Sequence, residues 1–212
     1  SYATTIDALW DSCEKLKLAL PQKNSIAPSS FCVARQKLDA EVFKCANQKI
    51  LAVYADDASR YRWLGHRLFA VDGSKINLPR ELRAFGYHTP CEMAHYPQGL
   101  LSCLYQLKSQ LPFDFDLVAH ANERWCAMRH LERLEQNDVV VYDRGYFSYP
   151  LLHRHCDTGI HAIFRLQESS SPVIREFFSS PHTDTEVTID PSPGSRADIH
   201  KQYPDLDIVP LK

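Results

Sequence analysis

The sequence has no long apolar run. Val139-Val140-Val141-Tyr142 is typical of its longest stretches, far short of the ~20 residues a membrane-spanning helix needs. No charged opening followed by an apolar core suggests secretion. Cysteine is present but unpaired in pattern: Cys13, Cys32, Cys45, Cys91, Cys103, Cys126 and Cys156 are widely spaced, odd in number and without a CxxC motif. That excludes an evident disulfide framework and fits a reducing compartment, so a cytoplasmic location is expected. A basic excess, the usual mark of a nucleic-acid binder, is also lacking, because 24 Lys and Arg face 26 Asp and Glu for a net charge of -2. Residues 1–66 carry nine cationic against seven anionic side chains, 67–168 eleven against twelve, and 169–212 four against seven. Only the first segment is mildly basic. An acidic middle is tolerable where bound cations neutralise carboxylates. There is no initiating methionine at Ser1, and Asp207-Ile208-Val209-Pro210-Leu211-Lys212 reads like the start of a strand. A piece of a longer protein is expected.

What is present is globular: 212 residues, 44% hydrophobic and 24% charged, enough for one ordinary domain with appendages. Ile6, Leu9, Cys13, Leu16 and Leu20 recur at helical spacing before Pro21. A turn-rich PQKNSIAP stretch leads to Ser29 and Ser30, expected caps for a helix ending near Leu38, and Asp39 is placed to cap the next. Residues 1–62 therefore read as a helical unit. Arg35, Lys37, Lys44, Lys49, Arg60 and Arg62 either line a DNA-contacting face of it or form a solvated helix surface.

From Arg67 the pattern turns β-prone. RLFAVDGSKINLP, residues 98–107 and residues 111–119 read as strands, the last two joined tightly through Lys108-Ser109-Gln110. Asn122 caps an expected helix through Glu135. VVVYD then reads as a strand buried on both faces. Residues 148–156 are expected to be helical and Ile160–Leu166 extended. This order predicts an α/β fold, a mixed sheet with helices on both faces, as in ribonuclease H-like proteins. Residues 169–212 hold six of the 13 prolines and read as an irregular, strand-rich excursion, with β-like pieces at Val173–Phe178 and Glu186–Ile189.

Two aspartates stand out. Asp72 lies in AVDGSKI, either inside a core strand, where its charge must be met, or in an Asp-Gly hairpin turn. Asp143 ends VVVYD, either at the carboxyl end of a strand, where functional groups of α/β sheets gather, or as the cap of the next helix. In the expected order the two strands are neighbours, so the carboxylates can face each other. Such a pair repels unless a hard divalent cation lies between, and two cations about 4 Å apart suit phosphodiester cleavage. His153, His155, Cys156 and His161 are dense, but their spacing matches no zinc site. Trp125 and Met128 read as core.

AVDGSKINLP, YPQGLLSCLYQL and VVVYDRGYFSYPLL, in that order, resemble the catalytic region of DDE transposases of the insertion-sequence 4 type. SSFCVARQKLDAEVF resembles the helical segment preceding it, so the likeness covers about residues 25 to 168. It implies a ribonuclease H-like core over 63–168 and a β-rich insertion beginning at 169. It also implies that Asp72 and Asp143 are catalytic metal ligands holding two Mg²⁺ (or Mn²⁺) ions together with a glutamate. The partner would be double-stranded DNA, cut at the element's ends and joined to a target, with two subunits pairing on the DNA. Lys75 and Arg144, close to the aspartates, are candidate phosphate contacts. The family's Tyr-x2-Arg-x3-Glu-x6-Lys signature is absent: no tyrosine here has an arginine three residues later. No motif singles out Glu168, Glu176 or Glu186 as the third carboxylate. The fragment is thus expected to bind metal weakly and cut DNA poorly. Another two-metal nuclease of this fold, and a non-catalytic remnant of a mobile element, are the other readings left open.

Overall fold

The computed structural model describes residues 2–18, 27–39, 41–55, 61–119 and 122–212. The chain divides into two units, Ser1–Ile50 and Leu51–Lys212. The first contains α1 (Tyr2–Lys15), α2 (Pro28–Gln36) and the start of α3 (Glu41–Ala55). Most of the turn-rich stretch before α2 lies outside the described residues. Asp39 caps α3 as expected, its carboxylate accepting from the Glu41 amide at 3.0 Å. Ser29 and Ser30 lie inside α2 instead of capping it. The helix begins at Pro28, whose fixed φ suits a first helical position.

The second unit is a mixed α/β structure around a six-stranded sheet. Its strands are β1 (Arg62–Trp63), β2 (His66–Asn77), β3 (Gln98–Gln106), β4 (Leu111–Val118), β5 (Val139–Tyr142) and β6 (His161–Phe164). The order is β4-β3-β2-β5-β6, with β1 pairing β2. β2, β3 and β4 are antiparallel neighbours, whereas β5 joins β2, and β6 joins β5, in parallel. Parallel pairing requires crossovers, and α4 (Glu123–Leu131) and α5 (Tyr149–Thr158) supply them. This is the ribonuclease H-like arrangement anticipated from the order of apolar segments.

α4 starts where Asn122 accepts a hydrogen bond from the Trp125 amide at 3.1 Å. It ends at Leu131, a turn short of the expected Glu135. Ala127 and Leu131 of α4 and Leu151 of α5 pack with Phe69, Val71, Leu104, Val140, Tyr142, Tyr146 and Ile160 in one core. Trp125 does not belong to it, being 43% exposed, while Met128 packs against its edge.

At the opening end of the two central strands, Arg67 binds Asp138 twice, Nε to Oδ1 at 2.7 Å and Nη2 to Oδ2 at 2.6 Å. The Asp138 side chain is 5% exposed, so this bidentate pair is largely withdrawn from water. It locks β2 against β5. A one-residue slip would invert every side chain of one strand relative to the other.

Residues 169–212 depart from the reading above. Val173–Phe178 is not extended but lies in α6 (Pro172–Ser179). Ser171 caps that helix through the Ile174 amide, Pro172 occupies its first turn, and Val173, Ile174, Phe177 and Phe178 fall on one stripe. α7 (Pro193–Gln202) follows. The extended character near Ile189 is a single bridge to Leu211.

Candidate metal centre and active site

Asp72 is a strand residue. The ladder between β2 and β3 runs through it unbroken, pairing Asp72 with Cys103, Gly73 with Ser102 and Ser74 with Leu101. A hairpin at Asp72-Gly73 is thereby excluded. Asp143 follows the last residue of β5 in extended conformation (φ -77°, ψ 173°), and its side chain makes no capping bond. Its backbone carbonyl instead accepts from the Tyr146 amide at 3.1 Å. Both carboxylates are therefore uncommitted to local structure, and both residues are exposed.

Their relation follows from register. β2 and β5 pair Leu68 with Val139, Phe69 with Val140 and Ala70 with Val141. Carried two residues further, the same register sets Asp72 beside Asp143. Neighbouring strands lie about 4.8 Å apart. Alternation then fixes the face: Phe69, Val71, Val140 and Tyr142 enter the core under α4 and α5, so Asp72 and Asp143 share the opposite face. Paired carboxylate oxygens are hard donors suited to Mg²⁺ or Mn²⁺. Among the described residues no group of three or more His, Cys, Asp or Glu side chains is arranged to hold a metal ion.

A third group lies on the next strand. Tyr142 pairs with Phe164, which brings Arg165 level with Asp143, and its Nη1 lies 3.5 Å from Asp143 Oδ1. Both side chains are about two-thirds exposed. Sequence reading missed Arg165, because nothing local distinguishes an arginine at a strand end. Of the candidate phosphate contacts, Arg144 opens the turn directly after Asp143 and is exposed. Lys75, an odd number of residues from Asp72 on a regular strand, projects from the other face. In the helical stretch, Lys44 pairs with Glu41 at 2.8 Å. Arg62 donates to the Gly65 carbonyl at 2.8 Å, while Arg60 lies outside the described residues.

Gly73 faces α4, on the side of the sheet away from Asp72. A Cβ there would come 3.2 Å from Glu123 Cγ and 3.3 Å from its Oε1, so the Glu123 carboxylate lies directly over this stretch of β2.

Two histidine arrangements serve the fold. His155 is buried, with Nδ1 2.8 Å from the Ile160 carbonyl and Nε2 2.9 Å from the Tyr142 hydroxyl. Both ring nitrogens are used, which accords with the mismatch to any zinc pattern. Ser102, His130 and Asp114 form a chain with spacings of 3.1 Å and 3.0 Å. Its connectivity is that of a hydrolase triad, but Ser102 and His130 are fully buried. No substrate reaches that hydroxyl, and the chain ties α4 to β3 and β4.

Comparison with known proteins supplies the family. The family described as Transposase DDE domain matches residues 63–203. The chain belongs to that family. It is 27% identical over 203 residues to transposase InsG for insertion sequence element IS4 of Escherichia coli (strain K12), a match covering 91% of this chain and 44% of InsG. The chain thus spans less than half of that relative. Among solved structures it is similar to a piggyBac transposase synaptic complex with hairpin DNA (11% identity, 60% of this chain and 29% of that one, TM-score 0.35). It is also similar to a Mos1 transposase paired-end complex with left transposon end (9% identity, 95% and 64%, TM-score 0.31). No helix among the described residues is long and apolar enough to cross a membrane.

Proposed function

We propose that this chain carries the first two-thirds of a DDE catalytic site, with Asp72 and Asp143 as two of its three metal-binding carboxylates. The observation that supports this is the parallel β2–β5 register, which pairs Ala70 with Val141 and, continued by two residues, matches Asp72 with Asp143. Two exposed carboxylates at neighbouring strand positions disfavour each other unless a cation is shared. In the complete protein two Mg²⁺ or Mn²⁺ ions, when bound, activate the attacking oxygen and offset charge on the leaving oxygen of a phosphodiester.

The chain's own residues do the positioning. Asp72 and Asp143 present oxygens from rigid strand positions, so little ordering is left to be done at the moment of reaction. Arg165 pairs with the Asp143 carboxylate at 3.5 Å and would yield it to a bound metal, and Arg144 would approach DNA phosphates beside the site. Lys75, on the other face, contributes at most through its charge. The substrate is double-stranded DNA, cut at element ends and joined to a target, by two subunits paired on it in the cytoplasm. No motif marks Glu168, Glu176 or Glu186 as the third carboxylate, which this reading assigns to a residue outside that group.

A plasmid-nicking assay with Mg²⁺ or Mn²⁺ tests this. The 212-residue chain is expected to nick far more slowly than a protein extended to the length of its relatives. Asp72→Asn or Asp143→Asn in the longer protein should abolish turnover. Turnover by the short chain equal to the long one would overturn the three-carboxylate reading. Cleavage indifferent to both substitutions would overturn the site altogether.

A further inference from the structure

Between β2 and β3 the chain forms an arm, residues 78–97. β2 and β3 stay paired as far as Asn77 and Gln98, whereas β2 and β5 pair no further than Ala70 and Val141. The arm therefore springs from the same end of the sheet as the two aspartates. Asn77 lies beyond Asp72 by about 17 Å of extended chain. The arm is firmly anchored. The Leu78 amide donates to the Pro97 carbonyl at 2.8 Å and the Gln98 amide to the His88 carbonyl at 2.9 Å. The Tyr87 hydroxyl donates to the Leu117 carbonyl of β4 at 3.2 Å.

Its exposed side carries clustered cations. Arg80 and Arg83 belong to a short 3₁₀ helix, Arg80–Phe85, and both are exposed. The Arg80 guanidinium lies 5.5 Å from the centre of the Tyr96 ring, and that aromatic face holds it by cation–π attraction. Arg83 Nη2 donates to the His95 carbonyl at 3.2 Å, and the His95 and Tyr96 rings are 6.2 Å apart. Elsewhere Arg67, Arg129, Arg133, Arg165 and Arg196 each face a carboxylate. Among the described residues no carboxylate pairs with Arg80 or Arg83. Two guanidiniums are thus held on one anchored element with no anion of the chain to meet them. Their rigid fork of N–H donors matches phosphate oxygens.

We infer that the arm is a phosphate-binding surface for DNA, with Arg80 and Arg83 gripping the backbone of a duplex that also reaches Asp72 and Asp143. This rests on DNA being the partner, as proposed above. A duplex carries one negative charge per ~1.7 Å of its axis, so DNA spanning from the aspartates to the arm offers several phosphates to the two arginines. Contacts of this kind fix where the duplex lies and read no sequence. Phe85 and Met93, 75% and 95% exposed on the same arm, would suit a second copy of the chain. The unpaired guanidiniums favour the polyanion.

Fluorescence anisotropy of a short labelled duplex, titrated with the chain over a range of salt, tests this. EDTA in the buffer keeps the metal site out of the measurement. The variants are Arg80→Gln, Arg83→Gln, the two combined, and Lys108→Gln as a control. Lys108 is exposed in the β3–β4 turn, at the opposite end of the sheet, where Gln106 pairs with Phe69. Each arm substitution should lower the slope of log affinity against log salt by about 0.9, and the pair by about 1.8. Lys108→Gln should leave it unchanged. Should Arg83→Gln melt lower for want of its bond to the His95 carbonyl, Arg80→Gln, which breaks no hydrogen bond, decides alone. Arm variants that keep the wild-type slope overturn the inference and leave DNA as the partner, and if they lose self-association in sedimentation the arm meets another copy instead. An equal drop in Lys108→Gln also overturns it, since only net charge would then matter. A wild-type chain that does not bind the duplex at low salt overturns the DNA reading and the arm together.

Discussion

Arg67 and Asp138 are 71 residues apart, the same separation as Asp72 and Asp143, and both pairs obey one register. The largely buried ion pair at one end of β2 and β5 therefore sets the alignment that pairs Ala70 with Val141 and that, continued by two residues, matches the two aspartates at the other. Asp138 also accepts from the Glu135 amide at 2.7 Å, so it stays in place if its cation is removed. Arg67→Met should consequently leave a buried, half-satisfied carboxylate and destabilise the fold by about 3–5 kcal/mol. Urea denaturation measures this. A loss below about 1 kcal/mol would mean that the clamp does not hold the register.

In the proposed site, Arg165 would compete with a bound cation for Asp143. The ion pair is solvent-exposed at 3.5 Å, so its contribution to stability is small. Arg165→Ala should leave stability within about 0.5 kcal/mol. It should tighten Mn²⁺ binding by roughly two- to fivefold, the scale of one unit charge a few ångströms away near water. Weakened Mn²⁺ binding would show that Arg165 orders Asp143 for the metal instead of competing with it.

His155 makes the fold sensitive to mild acid. Burial and the neighbouring His161 lower its pKa below the ordinary 6.5, against the opposing bond to the Ile160 carbonyl. The native protein keeps the ring neutral, donating from Nδ1 to Ile160 and accepting at Nε2 from Tyr142. The unfolded chain takes up a proton there first, so stability is full above pH ~6.5 and falls as pH drops below it. Melting temperature should decline between pH 7 and pH 5. Replacing His155 with Gln should lower stability at pH 7 but flatten that decline. An unchanged slope in the variant would assign the effect to another group.

Strand order could be read from the sequence because apolar runs and their turns are local features. VVVYD announces a buried strand by composition alone. Asp72 was harder, since Asp-Gly serves equally in a hairpin turn and in a strand, and only pairing with β3 separates the two. Val173–Phe178 misled because apolar, β-prone side chains outweighed the signals of Ser171 and Pro172, which cap and open a helix. Arg165 left no mark in the sequence. It matters through a neighbour on another element, Asp143.

The sharing of one cation by Asp72 and Asp143 is tested most directly by Mn²⁺ electron paramagnetic resonance titration of the wild type, Asp72→Asn, Asp143→Asn and the double variant. A shared ion requires strong non-additivity. Each single substitution should reduce binding nearly as far as both together, with melting temperatures unchanged. Independent, additive losses, or full affinity in either single variant, would contradict it.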